Sequence, residues 1–179
     1  MFLQDEVVVL AFAVGGVSLK LADFYGERES SAASYIYASV SAVALGLLIS
    51  HSPISSSIIL GIAFGVVLSG KVNRPNLIFG LALTLLTALI FSFKLPVLWL
   101  LLTVAFSSFI DEFTHDRLSK RFFFANFLLR PFLKLAILFI TALSLISLVY
   151  AVGFFCFDLS YDTTSWLIER QLARFERRR

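Results

Sequence analysis

The sequence predicts an all-α integral membrane protein of about six transmembrane helices with an amphipathic helix at its C-terminus, and three observations lead there. Hydrophobic residues make up 59% of the 179-residue chain and charged ones 15%. With a mean hydropathy of +0.90, a chain of this length cannot hide its apolar side chains in one water-facing core. The apolar residues also fall in runs close to the ~20 residues that a helix needs to cross a hydrocarbon layer of ~30 Å.

The first run, 5–23, follows Met1-Phe2-Leu3-Gln4-Asp5-Glu6, which is acidic where a cleavable signal carries Lys or Arg. It is therefore expected to stay as an anchor. Further runs occupy 33–50, 54–70, 77–93 and 95–113. His51-Ser52-Pro53, the segment Lys71 to Asn76, and Lys94-Leu95-Pro96 join them in turn. Each proline stands where a helix can start but not continue. The last run, 122–157, is too long for one helix and is broken at Arg130-Pro131. It reads as a short interfacial helix over 119–130 and a sixth span over about 132–156, with Lys134 reaching out to the headgroups. The alternative is a hairpin and seven spans, which would place Arg130 and Lys134 inside the membrane. Residues 1–157 thus form a transmembrane domain and 158–179 a basic tail. In that tail Ile168, Leu172 and Phe175 fall at helical spacing among Arg170, Arg174, Arg177, Arg178 and Arg179, a pattern suited to a lipid surface.

Orientation follows from Lys and Arg in short loops. With the N-terminus outside, loops 24–32, 71–76 and 114–121 are cytoplasmic and carry Arg28, Lys71, Arg74, Arg117, Lys120 and Arg121, while Lys94 lies outside. Six spans leave the Arg-rich tail outside, and seven bring it in. On either count the connections after spans one, three and five share a face. Trp99, Trp166, Tyr25, Tyr35 and Tyr37 suit an interfacial belt. The formal charge of +3 reports membrane orientation rather than nucleic-acid binding, which is not expected, and the single Cys156 cannot form an intrachain disulfide.

Small residues recur every fourth position at Ser34, Ala38, Ala42, Gly46 and Ser50, and again at Ser57, Gly61, Gly65 and Ser69. Such ridges allow close backbone approach, so the second and third spans are expected to pack on each other or across a homo-oligomer interface.

The polar residues concentrate at two helix ends. Asp23-Phe24-Tyr25-Gly26-Glu27-Arg28 closes span one, and Asp111-Glu112-Phe113-Thr114-His115-Asp116-Arg117 closes span five. A shift of 89 positions aligns Asp23 with Glu112, Phe24 with Phe113, Glu27 with Asp116 and Arg28 with Arg117, which suggests a weak internal duplication, although the ridges do not recur. If the helices continue, Asp23 and Glu27, and likewise Glu112 and Asp116, lie one turn apart on one face and can share a cation. Carboxylates favour a hard divalent ion, Mg²⁺ or Mn²⁺. Glu112-x-x-His115 has no second copy, so a di-iron site is discounted.

The leading expectation is a membrane-embedded, divalent-metal-dependent enzyme acting on a lipid phosphate or polyprenyl diphosphate at one face. Asp23, Glu27, Glu112 and Asp116 would hold the metal. Lys71, Asn73 and Arg74 would bind phosphate, and His115 or Asp111 would serve as general base. A cation channel or transporter, with Ser41, Ser55, Ser56 and Thr84 as lining, is the alternative from a second class, and a non-catalytic membrane subunit or scaffold that from a third. A channel requires a polar path from one face to the other, an enzyme only a pocket at one face.

Overall fold

The structure, a computed structural model, describes residues 4–28, 32–118 and 131–176. These residues form seven helices and no strand: α1 (Asp5–Arg28), α2 (Ala32–His51), α3 (Pro53–Leu68), α4 (Pro75–Ile90), α5 (Leu98–Leu118), α6 (Pro131–Ala142) and α7 (Leu148–Glu176). Two of them, α1 over Asp5–Glu27 and α2, are long and apolar enough to cross a membrane, while α3, α4 and α6 are apolar but shorter.

Local chemistry sets the helix ends. Ser52 caps α3 by accepting the Ser55 amide hydrogen at 3.1 Å, with Pro53 in the first turn. The helix stops where Gly70 turns to φ +74°, while the Lys71 amide bonds the Val66 carbonyl and the Gly70 amide bonds Val67. This is a Schellman ending, with glycine at the left-handed position. The same ending closes α6. Ser144 adopts φ 57°, its amide bonds the Thr141 carbonyl at 2.8 Å, and the Leu145 amide bonds Ile140 at 3.1 Å.

This second ending corrects the reading of 132–156 as one span, because the chain breaks between Ala142 and Leu148 into two helices. The turn is hard to see in sequence because serine stands where glycine or asparagine is usual. Two further boundaries move. The segment 114–118 belongs to α5 rather than to a loop, and the α4–α5 connection spans 91–97. The division drawn between 157 and 158 falls inside α7.

With seven helices, the odd-numbered ones run in one direction. α7 lies parallel to α1: Gly153 packs on the Phe12 ring, and Gly16 on the Phe157 carbonyl and Ser160. The end of α7 therefore comes to the same end of the bundle as the ends of α1, α3 and α5. Nearly all the described charge collects there, leaving Asp5, Glu6, His51 and Lys94 towards the other end.

The small-residue ridges do not pack on each other as expected. The α2 ridge faces α4, where Gly46 meets the Thr84 carbonyl and the Thr87 side chain, and Ser50 Oγ donates to the Ala88 carbonyl at 3.1 Å. The α3 ridge faces α5. A Cβ on Gly65 would stand 2.6 Å from the Ala105 carbonyl oxygen, and Ser57 Oγ accepts the Val97 amide hydrogen at 2.7 Å. Both ridges are thus filled by helices of the same chain. Under the shift of 89 positions α1, α2 and α3 correspond to α5, α6 and α7, and the packing of α1 on α2 and α7 corresponds to that of α5 on α6 and α3.

The core, including Val8, Phe12, Leu48, Ile49, Ile58, Leu100, Val104 and Phe154, is fully enclosed. Many large apolar side chains face outwards, among them Leu10, Ile36, Phe64, Ile90, Leu98, Phe106, Phe139 and Leu148, each more than half exposed.

Gly65→Leu should drive a side chain into the α5 backbone and lower stability by ~1–3 kcal/mol or more, whereas Leu81→Ala, on α4 and away from that seam, should leave the α3–α5 packing intact. Thermal melting of the purified protein checks this: equal melting temperatures for Gly65→Leu and the parent would refute the close α3–α5 seam.

Candidate functional site

α1 stays helical through Arg28, so Asp23 and Glu27 share one face and converge on one guanidinium. Arg74 Nη1 lies 3.0 Å from Asp23 Oδ1, and Nη2 lies 2.9 Å from Glu27 Oε1. Arg74 stands at the N-cap of α4 but makes no side-chain cap there. On α1 itself, Lys20 Nζ lies 3.4 Å from Asp23 Oδ2. Across the bundle, Lys71 Nζ lies 3.3 Å from Glu112 Oε2. The α3–α4 connection, 69–74, is therefore a strap tied to α1 at one end and to α5 at the other. The buried Asn76 secures its α4 side, donating from Nδ2 to the Ala22 carbonyl at 2.8 Å and lying against Gly26.

Asp111 has a structural use. It is 2% exposed, and its Oδ1 and Oδ2 accept the amide hydrogens of Phe132 and Leu133 at 3.0 and 2.8 Å. A carboxylate at the first turn of α6 meets free N–H groups and the positive end of the helix dipole. It places α6 and fixes the neighbouring Glu112.

Under the strap lies a cavity of about 790 Å³. Among the described residues its mouth carries Lys20, Lys71 and Arg74 against Asp23, Glu27, Asp111, Glu112, Asp162 and Glu169, more acid than base. Asn73 also lines it. Its inner part is apolar, formed by Leu19, Leu45, Ile59, Ile62, Leu81 and Phe157. The hydroxyls there are turned into the walls: Ser41 Oγ donates to the Gly15 carbonyl at 3.1 Å, and Thr84 Oγ1 to Gly80 at 2.9 Å. Ser55 and Ser56, lying deeper, donate to the carbonyls of Leu48 and Lys94. Beyond Leu45 and Ile59 stand Leu48, Ile49, Ile58 and Ala88, all 0% exposed, so the cavity ends blind against the core.

The sequence alone gives no role to Asp158 or Asp162. Lys134, expected to reach out to headgroups, has its Nζ 2.8 Å from Asp158 Oδ2 and 4.0 Å from Asp162 Oδ2. Asp158 is 3% exposed and sits where α7 crosses the middle of α1, since the nearby Ser160 bonds the Ala13 carbonyl. Asp162 lines the cavity, as do Tyr161, Ser165 and Glu169, and Lys20 lies 5.1 Å over the Tyr161 ring. The signal was present: Asp158, Asp162, Ser165 and Glu169 recur at helical spacing. The apolar stripe of Ile168 and Leu172 beside it suggested a separate tail instead.

Of the residues expected at the site, the structure brings Asp23, Glu27, Lys71, Asn73, Arg74, Asp111 and Glu112 to one cavity. The side chains of His115 and Asp116, like those of Arg28 and Arg117, and the residues Lys120, Arg121 and Arg177 to Arg179, lie outside the described residues. Among the described residues, no group of three or more His, Cys, Asp or Glu is arranged to hold a metal ion. Here the carboxylates instead meet Lys20, Lys71, Arg74 and the α6 amides.

Removing one partner of a buried ion pair costs ~3–5 kcal/mol, while replacing both with apolar side chains is near neutral. Asp158→Leu should therefore lower the melting temperature sharply, and adding Lys134→Met should restore most of it. A double variant no more stable than Asp158→Leu would show that the pair is not what holds α6 to α7. No protein-family model, curated protein or solved structure matches the chain.

Proposed function

We propose that the chain is a membrane-embedded enzyme that uses a divalent cation to act on an amphiphile with a phosphate or diphosphate headgroup. The observation that carries this reading is the cavity, charged at its mouth and apolar at its blind end. An amphiphile fits that gradient, with its chain among Leu45, Ile59, Leu81 and Phe157 and its headgroup under the strap. Lys71 and Arg74 supply phosphate-binding cations of two kinds, a point charge and a planar fork. Asp23 and Glu27, one turn apart on α1, offer oxygen ligands of the kind that suit Mg²⁺ or Mn²⁺. Held there against the headgroup, such an ion would neutralise charge that develops on phosphate oxygens.

The membrane setting is supported by the outward-facing Leu, Ile and Phe side chains on every side of the bundle, a surface that water would not tolerate. In this reading all seven helices lie in the bilayer. The 16-residue α3 and α4 rise only about 24 Å, a mismatch that local thinning accommodates. The charged end then faces the cytoplasm together with the end of α7, where Arg170 stacks 4.9 Å over the exposed Trp166. The blind inner end supports a pocket in preference to a channel.

The test is ³¹P nuclear magnetic resonance of the detergent-solubilised protein with a lipid phosphate or polyprenyl diphosphate and Mg²⁺. Conversion of the headgroup resonance that chelation stops, and that Asp23→Asn and Glu112→Gln each slow at least tenfold, is expected. An unchanged spectrum across both headgroup types would count against the reading.

A further inference from the structure

We propose that the cavity opens sideways into the bilayer between α3 and α4, and that a phosphate amphiphile enters through this portal and leaves the far part of its chain in the lipid. This rests on the membrane setting and the amphiphilic ligand of the functional reading above. Helices α3 and α4 are consecutive and both line the cavity, α3 with Ile59, Ala63 and Val66 and α4 with Leu77 and Leu81. Yet α3 packs mainly on α5 and α4 mainly on α2, and the two barely meet each other. Burial follows the same pattern. Gly65, against α5, and Thr87 and Ala88, against α2, are buried, whereas Ala63, Val66, Leu77 and Leu81, which line the cavity, are only half-buried. One turn further along each helix stand the exposed Val67 on α3 and Leu85 on α4, with the exposed Ile78 one turn before Leu81. Ala63 and Leu81 are thus the inner lips of the portal, and Val67, Ile78 and Leu85 its outer ones. Among the described residues the strap alone joins α3 directly to α4, at the charged end, and α2 backs the gap by packing on both helices.

The other route, through the charged mouth, would take the chain from hydrocarbon into water on its way, at a cost that grows with every methylene. The lateral route keeps the chain in apolar surroundings throughout and leaves the strap's pairs, Arg74 with Asp23 and Lys71 with Glu112, in place. Depth decides where the chain must end. From Val66 to Ile59 α3 rises about 10 Å, short of the ~15 Å that a chain spans in one leaflet of a ~30 Å hydrocarbon layer. Because the cavity ends blind, the remainder of a long chain has to pass back out between the lips. The headgroup then rests beside Lys71 and Arg74, at the charged end of the portal. The ligand class is a long-chain phosphate or diphosphate already resident in the bilayer.

The experiment photolabels the full chain in phosphatidylcholine nanodiscs, with Mg²⁺ present, using hexadecyl phosphonate, whose P–C bond resists hydrolysis. One probe carries a diazirine at mid-chain and a second carries it at the chain end. Only labelling that excess unlabelled hexadecyl phosphonate removes is counted, and mass spectrometry places it. The mid-chain probe should mark the inner lips, Ala63 or Leu81, and the chain-end probe the outer lips, Val67, Ile78 or Leu85. Ala63→Trp, which fills the α3 side of the portal, should lower both about tenfold, while Phe64→Trp, exposed on the same helix, should leave them unchanged. The pattern on the parent decides the route even where Ala63→Trp fails to fold, and unchanged labelling in a folded Ala63→Trp would overturn the portal. Chain-end labelling at Leu45 or Ile59, at the blind end, with none on the outer lips, would also overturn it and leave the amphiphile pocket standing. Absence of displaceable labelling both in the cavity and on its lips would overturn the portal and the functional reading together.

Discussion

The fork that Arg74 makes with Asp23 and Glu27 is the contact on which the charged end depends. It requires α1 to stay helical through its last turn, because only then do residues four apart present both carboxylates to one planar group. It holds the start of α4 beside the end of α1, with Asn76 completing the seam. The Lys71 tether to Glu112 holds the other side of the strap, and Asp111, next to Glu112, holds the start of α6. The ends of α1, α3 and α5 and the starts of α4 and α6 are thus gathered by a few charged side chains, and the space they roof is the cavity.

Much of this could be read without coordinates, for definite reasons. The starts of α3 and α4 follow from Pro53 and Pro75, and the grouping of alternate connections follows from counting helices. The carboxylate spacing at Asp23 and Glu27 pointed to one face because helix geometry leaves little choice. What could not be read was which cation each acid meets, since the Arg74 and Lys71 pairings join residues about fifty and forty positions apart. The fate of the ridges was hidden for the same reason. A ridge announces close approach but not to whom, and α2 and α3 choose α4 and α5 over each other. Lys134 was the most misleading residue: a lone lysine in an apolar run fits an interfacial anchor until Asp158 is brought beside it by a turn at Ser144.

The interior of the cavity shows how a helical wall can contain serine and threonine and still present an apolar face. Ser41 and Thr84 each satisfy their hydroxyl against a backbone carbonyl, Ser41 across to α1 and Thr84 one turn back on α4. What remains towards the space is carbon. Polarity at the mouth and its absence at the floor therefore arise from hydrogen-bond partners as much as from residue type.

The Lys134–Asp158 pair also joins two sides of the bundle that otherwise touch little. α6 has 12 residues and carries Lys134 near its start, and α7 carries Asp158 directly after its apolar first part. Helix α6 packs mainly on α5 and α7 mainly on α1, with little contact between α6 and α7 themselves. The pair is thus a cross-tie: loss of either charge loosens the α5–α6 side from the α1–α7 side while each side keeps its own helix packing.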